Sequence, residues 1–225
     1  MKVELTIVIA VLESYEAVYR QCQYWANMPV PLDVEIIIMD DGSPKPLSAI
    51  VETFASACNV RVIGTGDTRP WSQPCARNAG AKCAKADYIL FTDIDHIISV
   101  EALVTARMFS GDMMKFPREF AVIDEKGNLT QDLCTLKKYG LRRKIKTGPH
   151  FNTFVIKKEL FEALNGYDES YCGKYGGDDT DFADRYSKLA KAGKATRSSL
   201  GPRMFVFPDP RKDVKQIFHG LRRKK

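Results

Sequence analysis

Short apolar runs alternate with helical patterns along the first half of the chain. The runs read LTIVIAVL, VEIIIM, VRVIG and YILFT, and helical periodicity covers three intervening segments, Tyr15–Ala26, Leu47–Ala57 and Pro74–Lys85. Runs without alternation of apolar and polar positions, separated by helices, are typical of parallel strands buried on both faces. The pattern predicts an α/β fold, in which a mostly parallel central sheet is flanked by helices.

The alternation of apolar runs and helical patterns is less regular after residue 108. This part of the chain contains a turn at Gly127–Asn128 and a strand from Asn152 to Ile156 that leads into a helix closed at Asn165–Gly166. A last helix starts near Asp179 and stops at Gly193, because glycine is favoured just past a helix end. The stretch 137–148 has little periodicity and is predicted to be a mobile basic loop.

Size and composition favour one soluble domain over residues 1–225. A chain of 225 residues with 44% hydrophobic content can bury one substantial core. No apolar stretch reaches the roughly 20 residues that cross a bilayer, and the opening MKVELTIVIAVLES predicts a strand rather than a signal peptide. Six cysteines without a CxxC pair favour reduced thiols. We expect a cytoplasmic protein, with peripheral attachment at the inner face of a membrane as the alternative.

The net charge of +6 is concentrated in two basic runs, KKYGLRRKIK and the terminal LRRKK. Such runs suit phosphate-rich partners, which include nucleic acid, anionic lipid and a charged substrate. A solvated loop and tail explain them equally well, so the charge alone does not select a function.

Acidic clusters follow two of the predicted strands. Asp40 and Asp41 end the second strand in MDDGS, while Asp93 and Asp95 end the fourth in TDIDH. In open α/β sheets ligands bind beyond the carboxyl ends of the strands, so both clusters should face one crevice. Carboxylates at alternating positions can point the same way and hold Mg²⁺ or Mn²⁺. Each cluster alone also fits an Asp-rich turn.

The stretch YGGDDTDFADR crowds three aspartates at a helix start behind two glycines. N-capping explains one or two of these carboxylates but not all three. A carboxylate held there under a ligand is a candidate general base. Two histidines, His96 and His219, are candidates to complete a metal site.

The order of these motifs resembles the glycosyltransferases of the GT-A fold, and within them the inverting family 2 enzymes. The motifs are a hydrophobic first strand followed by IIIMDDGS, ARNAGAKCAKADYILFTDID and NGYDESYCGKYGGDDTDFADR, and the resemblance covers residues 3–108 and 148–190. The segment 148–185 also resembles the β-1,4-galactosyltransferases and the galactosyltransferase-like domains of chondroitin polymerases. Four motifs in the right order make a specific signal.

The resemblance implies a metal-dependent, inverting, hexosyltransferase-like enzyme that uses a nucleotide sugar, UDP-linked, and Mn²⁺ or Mg²⁺. It divides the chain into a nucleotide-sugar half, 1–108, and an acceptor half, 109–225. The acceptor could be a glycan, an anionic lipid-linked molecule or nucleic acid.

The resemblance also implies roles for individual residues. Asp179 is the base. Acceptor contacts come from Tyr175, Gly177 and Asp178. Nucleotide-sugar contacts come from Val11, Glu13, Asp41, Arg77 and Asp93. The metal is held by Asp93, Asp95 and His219, with His96 as a further candidate.

The chain departs from the family pattern at three places. The first strand ends in AVLES, His96 replaces a frequent acidic residue, and Asp178 is one methylene shorter than the usual Glu. Two other functions are compatible with parts of the sequence. One is a nucleotidyltransferase on a related fold, which would need a Gly-rich basic loop that AVLESYEAV lacks, and the other is a basic nucleic-acid-binding protein without transferase activity.

Overall fold

The computed structural model describes residues 2–28, 30–69, 71–138 and 146–206. The seven α-helices in these ranges are α1 Tyr15–Asn27, α2 Ser48–Val51, α3 Gln73–Cys83, α4 Val100–Arg107, α5 Leu133–Lys138, α6 Lys158–Ala163 and α7 Asp178–Lys191. The thirteen strands of the described part are β1 Leu5–Val11, β2 Val34–Asp40, β3 Val60–Gly64, β4 Tyr88–Asp93, β5 His96–Ile97, β6 Met113–Lys115, β7 Arg118–Phe120, β8 Val122–Ile123, β9 Leu129–Thr130, β10 Lys146–Thr147, β11 Phe154–Lys157, β12 Ser199–Leu200 and β13 Met204–Val206. None of the helices in these ranges is long and apolar enough to cross a membrane.

The central sheet has seven strands in the order β12-β6-β11-β4-β1-β2-β3. The four strands predicted from the first half are mutually parallel, as the apolar runs indicated. The added strand β11 runs antiparallel to both β4 and β6. The predicted α/β architecture with a mostly parallel sheet is therefore confirmed.

Strand β1 explains why the apolar runs do not alternate. Leu5, Ile7 and Ile9 pack on one face of the sheet with α1, while Val8 and Ala10 pack on the other face with α3. Helix α3 lies so close to β1 that a methyl group on Gly80 would approach Val8 Cγ1 to 2.4 Å. This close approach fixes α3, the helix that carries the ARN motif, over the sheet.

Some predicted boundaries shift for local reasons. The helix expected over Leu47–Ala57 is limited to α2 and a 3₁₀ turn, Glu52–Phe54, since few of its residues are buried. The strand expected from Asn152 begins at Phe154, because the Thr153 N–H closes a turn onto the His150 carbonyl at 3.3 Å. Within the basic stretch 137–148, residues 139–145 lie outside the described ranges.

A second sheet, β10-β7-β13-β5, and the hairpin β8-β9 complete the second half. The hairpin turn contains Gly127 with a φ of 79°, as the Gly-Asn dipeptide predicted. Strand β5 follows the acidic end of β4 directly and pairs with β13, so the second sheet is anchored beside the predicted crevice.

Candidate active site

A cleft of about 530 Å³ opens at the carboxyl ends of β1, β2 and β4. This volume lies in the range of small-ligand sites, about 300–1,000 Å³. Eight residues predicted from the sequence line it, and they come from both halves of the chain: Val11, Asp41, Asp93, Asp95, His96, Tyr175, Asp178 and Asp179.

The buried guanidinium of Arg77 lies beneath the cleft and joins carboxylates of two elements. Its side chain is 0% exposed; Nη2 donates to Asp93 Oδ1 at 2.5 Å, and Nη1 lies 3.6 Å from Asp178 Oδ2. The guanidinium also lies over the ring of Tyr167, 5.2 Å from its centroid. Burial raises the pKa of Asp178, and Arg77 opposes that shift. Arg77 thus fixes the end of β4 relative to the start of α7.

Asp93 has a second neighbour on its other oxygen. His150 Nδ1 lies 3.2 Å from Asp93 Oδ2, and burial lowers the pKa of His150, which favours a neutral imidazole. Ligand atoms of Asp93, His96 and His150 all lie within 4.8 Å of one another. Neutral imidazole and carboxylate oxygen are ligands that first-row divalent ions accept.

Asp95, His96 and Arg118 form a hydrogen-bonded chain. His96 Nδ1 lies 2.8 Å from Asp95 Oδ1, and Arg118 Nη1 lies 3.0 Å from His96 Nε2. A guanidinium can only donate, so Nε2 accepts from Arg118, and Nδ1 carries the proton that is donated to Asp95. Partial burial acts to raise the pKa of Asp95, but His96 outweighs it and holds the pKa below its usual value.

The backbone around His96 is equally constrained. The side chain is buried, and Gln21 Nε2 donates to the His96 carbonyl at 2.8 Å and to the Ile94 carbonyl at 3.1 Å. The imidazole ring therefore has a fixed position and a fixed tautomer next to Asp95.

Asp41 has one satisfied and one unsatisfied carboxylate oxygen. Oδ2 accepts from the Ser72 N–H at 3.0 Å, while Oδ1 is buried and has no partner among the described residues. Burial raises the pKa of Asp41 to about 7. A buried acceptor without a protein partner, on a residue that lines the cleft, is suited to a ligand N–H group.

The three aspartates in the first turn of α7 have three different surroundings. Gly177, in the left-handed region with a φ of 97°, precedes the helix, and a Cβ there would meet the ring of Tyr171 at 2.7 Å. Asp178 points inward to Arg77, Asp179 lines the cleft, and Asp181 pairs with Arg185 at 2.8 Å. Only the first two are thus available to the candidate site.

Four predicted site residues lie elsewhere. Arg77 is under the cleft floor, and Gly177 supports the start of α7 without lining the cleft. Glu13 adopts a φ of 54°, its N–H donates to Ser43 Oγ at 3.0 Å, and it is not a lining residue. His219 lies outside the described residues. The roles given to these four residues, like those of the eight that line the cleft, stay predictions.

The cleft also contains residues that sequence reasoning did not select: Trp71, Gln73, Arg118, His150 and Asn152. Trp71 and Tyr175 meet edge to face with ring centroids 4.9 Å apart and form one wall. The antiparallel pairing of Phe154 with Phe91 brings the residues before β11 beside the end of β4. His150 could have been selected from the sequence only if the direction of β11 relative to β4 had been known.

Solved structures with the same architecture define the fold class. Staphylococcus aureus TarS superimposes with a TM-score of 0.65 at 18% identity, over 96% of this chain and 38% of that chain. The mannosyltransferase PcManGT from Pyrobaculum calidifontis, solved with GDP-Man and Mn²⁺, gives 0.61 at 14% identity, over 96% and 59%. The fold is that of the GT-A glycosyltransferases.

Sequence comparison gives two partial matches to glycosyltransferase families. Residues 10–106 match the glycosyl transferase family 2 model, and residues 134–203 match the model for the N-terminal domain of galactosyltransferase. Escherichia coli chondroitin synthase is 36% identical over 70 residues, which is 31% of this chain and 10% of that protein. Two separate segments of the chain are thus similar to glycosyltransferase families. The chain spans only a small part of the length of that relative, and 38% of TarS.

The buried Asp41 predicts a pH dependence of stability. Its pKa in the folded protein is raised to about 7, so ionisation disfavours the folded state as the pH rises from about 4, and this loss is complete above pH 7. We expect Asp41→Asn to raise the free energy of unfolding by roughly 2–4 kcal/mol at pH 8. At pH 4 the substitution should have little effect. Urea titrations of both proteins at the two pH values measure this, and an equal effect at both pH values would contradict it.

Removal of the buried cation should destabilise the fold strongly. We expect Arg77→Met to lower the free energy of unfolding by about 3–5 kcal/mol, because Asp93 and Asp178 then lose their buried partner. The added substitution Asp178→Asn should recover part of this loss by removing one unpaired charge. Chemical denaturation of the single and double variants measures the coupling, and strictly additive effects would contradict a direct interaction.

Proposed function

We propose that this chain transfers a sugar from a nucleotide sugar, UDP-linked, to an acceptor hydroxyl, with inversion at the anomeric carbon and with a divalent metal ion. The supporting observation is one cleft in which Asp93 and Asp95, at the end of β4, face Asp179 at the start of α7. Two structural neighbours were solved with nucleotide sugars, TarS with UDP-GlcNAc and PcManGT with GDP-Man. The family match makes a glycosyltransferase the natural reading of this geometry.

The base of the nucleotide would lie at Asp41. Its Oδ1 is buried without a protein partner, and a carboxylate oxygen accepts from an imide N–H such as that of uracil. Trp71 lines the same cleft and offers an aromatic edge or face to a planar ring.

A divalent ion fits the residues at the end of β4. Asp93 and Asp95 supply carboxylate oxygens, and His150 supplies a neutral imidazole nitrogen beside Asp93. When bound, the ion neutralises charge that develops on the diphosphate leaving group.

Asp179 is the proposed general base. It lines the cleft from the first turn of α7, across from the end of β4, while Thr180 N–H donates to its Oδ1 at 2.8 Å. It would accept the proton of the acceptor hydroxyl as that oxygen attacks the anomeric carbon from the face opposite the diphosphate. Asp178, held by Arg77, and Tyr175 would position the acceptor.

The loss of the base should separate binding from transfer. We expect Asp179→Asn to keep the wild-type affinity for UDP with Mn²⁺ and to lower kcat by about 10²–10⁴-fold. Asp181→Asn is the matched control, since Asp181 lies in the same helical turn but pairs with Arg185 and should leave kcat near wild type. Release of nucleoside diphosphate from a panel of nucleotide sugars and acceptors measures kcat. Full activity of Asp179→Asn would refute the assignment.

We propose a positioning role for His96 rather than metal ligation. Both ring nitrogens are engaged, Nδ1 with Asp95 and Nε2 with Arg118, so the imidazole orients Asp95 and leaves its second oxygen for the ion. Because Arg118 donates to Nε2, that nitrogen carries no proton, and the proton stays on Nδ1, where it is donated to Asp95.

Two amide replacements distinguish this role from direct ligation. Asn places its amide N–H where Nδ1 stands and can still hold Asp95, whereas Gln reaches the Nε2 position. We expect His96→Asn to bind Mn²⁺ within a few-fold of wild type and His96→Gln to bind it at least 10-fold more weakly, in line with losses of supporting partners. Titration of Mn²⁺ by electron paramagnetic resonance measures affinity without turnover. An equal loss in both variants would indicate that His96 binds the ion itself.

A further inference from the structure

Two free thiols meet beside the cleft. Cys75, in the first turn of α3, and Cys172, just after the 3₁₀ turn Glu169–Tyr171, have their sulfur atoms 3.0 Å apart. A disulfide bond is about 2.05 Å long, so the two atoms lie only about 1 Å from bonding distance. The contact joins residues 97 positions apart in the chain, one from each half of the fold.

The same two segments form the aromatic wall of the cleft. The Gly173 N–H donates to the Trp71 carbonyl at 2.5 Å, and the rings of Trp71 and Tyr175 meet at 4.9 Å. Cys75 lies four residues after Trp71, and Cys172 lies three residues before Tyr175. A covalent bond between the sulfurs would therefore fix the spacing of the two segments that carry this wall.

The surroundings favour a disulfide over a metal site. Asp67, Cys75 and Cys172 place ligand atoms within 4.8 Å of one another, a donor set that Zn²⁺ could use. However, Arg69 pairs with both oxygens of Asp67, at 3.0 Å and 2.5 Å, and its Nη2 lies 3.1 Å from Cys75 Sγ. A fixed cation that already occupies the carboxylate and touches the thiol repels a second cation.

We propose that Cys75 and Cys172 form a redox-sensitive disulfide site that latches the aromatic wall of the cleft. In the reaction each thiol loses one proton and one electron, and the S–S bond forms. A peroxide accepts the two electrons and leaves as water, or a small-molecule disulfide accepts them and leaves as two thiols. Half-exposed Cys75 would react with the oxidant first, and the buried Cys172 sulfur would then attack the Cys75 sulfur and release water or the small-molecule thiol. This proposal does not depend on the transfer reaction proposed above.

The reduced pair is stable until an oxidant is supplied. Burial, together with the contact to Cys172, raises the pKa of the Cys75 thiol, so this thiol stays protonated at neutral pH. Since the thiolate is the attacking species, the bond should form faster as the pH rises.

Peptide mapping tests the bond directly. The full chain is treated with oxidised glutathione or hydrogen peroxide, alkylated and digested with trypsin. Arg69 precedes a proline and resists cleavage, so Cys75 lies in the peptide of residues 62–77 and Cys172 in the peptide of residues 159–174. We expect these two peptides to become linked before any other cysteine pair, and dithiothreitol to separate them. Cys83→Ser, on the same helix, should leave the link intact, and Cys75→Ser should abolish it.

Hydrogen exchange tests the latch. Oxidation should slow exchange in residues 169–177 and raise the melting temperature by several degrees in the wild type, with no change in Cys75→Ser. Glutathione attached to Cys75 without the linked peptide would overturn the proposal. So would Zn²⁺ that binds the reduced chain, blocks oxidation and is lost in Cys75→Ser, since this result would identify a metal site instead.

Discussion

The buried guanidinium of Arg77 is the interaction on which the candidate site depends. A cation without solvent contact costs several kcal/mol unless carboxylates compensate it, so the fold must bring partners to it. The partners are Asp93 at the end of β4 and Asp178 at the start of α7, two elements that are far apart in the chain. The arginine thus determines how the two acidic motifs are placed relative to each other.

Helix α3 carries this interaction together with two others, and all three reach the second half of the chain. Asn78 Nδ2 donates to the Tyr167 carbonyl at 2.9 Å and its Oδ1 accepts from the Tyr167 N–H at 2.8 Å. Cys75 meets Cys172, and Arg77 meets Asp178. Because Gly80 lets the same helix lie against β1, the contacts are transmitted to the parallel strands whose ends form the cleft. The two halves are joined at α3 by an ion pair, by the two hydrogen bonds between the Asn78 amide and the Tyr167 backbone, and by a thiol contact.

The parallel part of the fold could be predicted from the sequence, because buried strands carry their signal in the local apolar pattern. The gathering of Asp41, Asp93 and Asp95 in one cleft also follows from strand direction alone. The place of His150 could not be predicted, since it depends on the antiparallel pairing of β11 with β4, which leaves no local signal.

The burial of Arg77 could not be predicted from the sequence either. In the local sequence pattern Arg77 does not differ from a surface arginine. Only the tertiary positions of Asp93 and Asp178 compensate the cost of burying its charge. The state of His96 has the same origin, because its tautomer is set by Arg118 on another strand, 22 residues further along the chain.

The charge balance of the cleft gives a physical reason for a divalent ion in the proposed reaction. Five carboxyl groups, Asp41, Asp93, Asp95, Asp178 and Asp179, line the cleft, and two arginines oppose them, Arg118 at its wall and Arg77 beneath its floor. A nucleotide diphosphate would be repelled by such a surface at short range.

The protein itself has already used one oxygen of each metal-binding candidate. Asp93 Oδ1 accepts from Arg77 and Asp95 Oδ1 accepts from His96, so each carboxylate is oriented. The other oxygen of Asp93 lies beside His150, the imidazole proposed to share the ion. Oxygen atoms fixed in this manner bind a cation without a further loss of side-chain freedom. The carboxylates that would repel a bare diphosphate are therefore the groups that would attract a diphosphate accompanied by its metal ion.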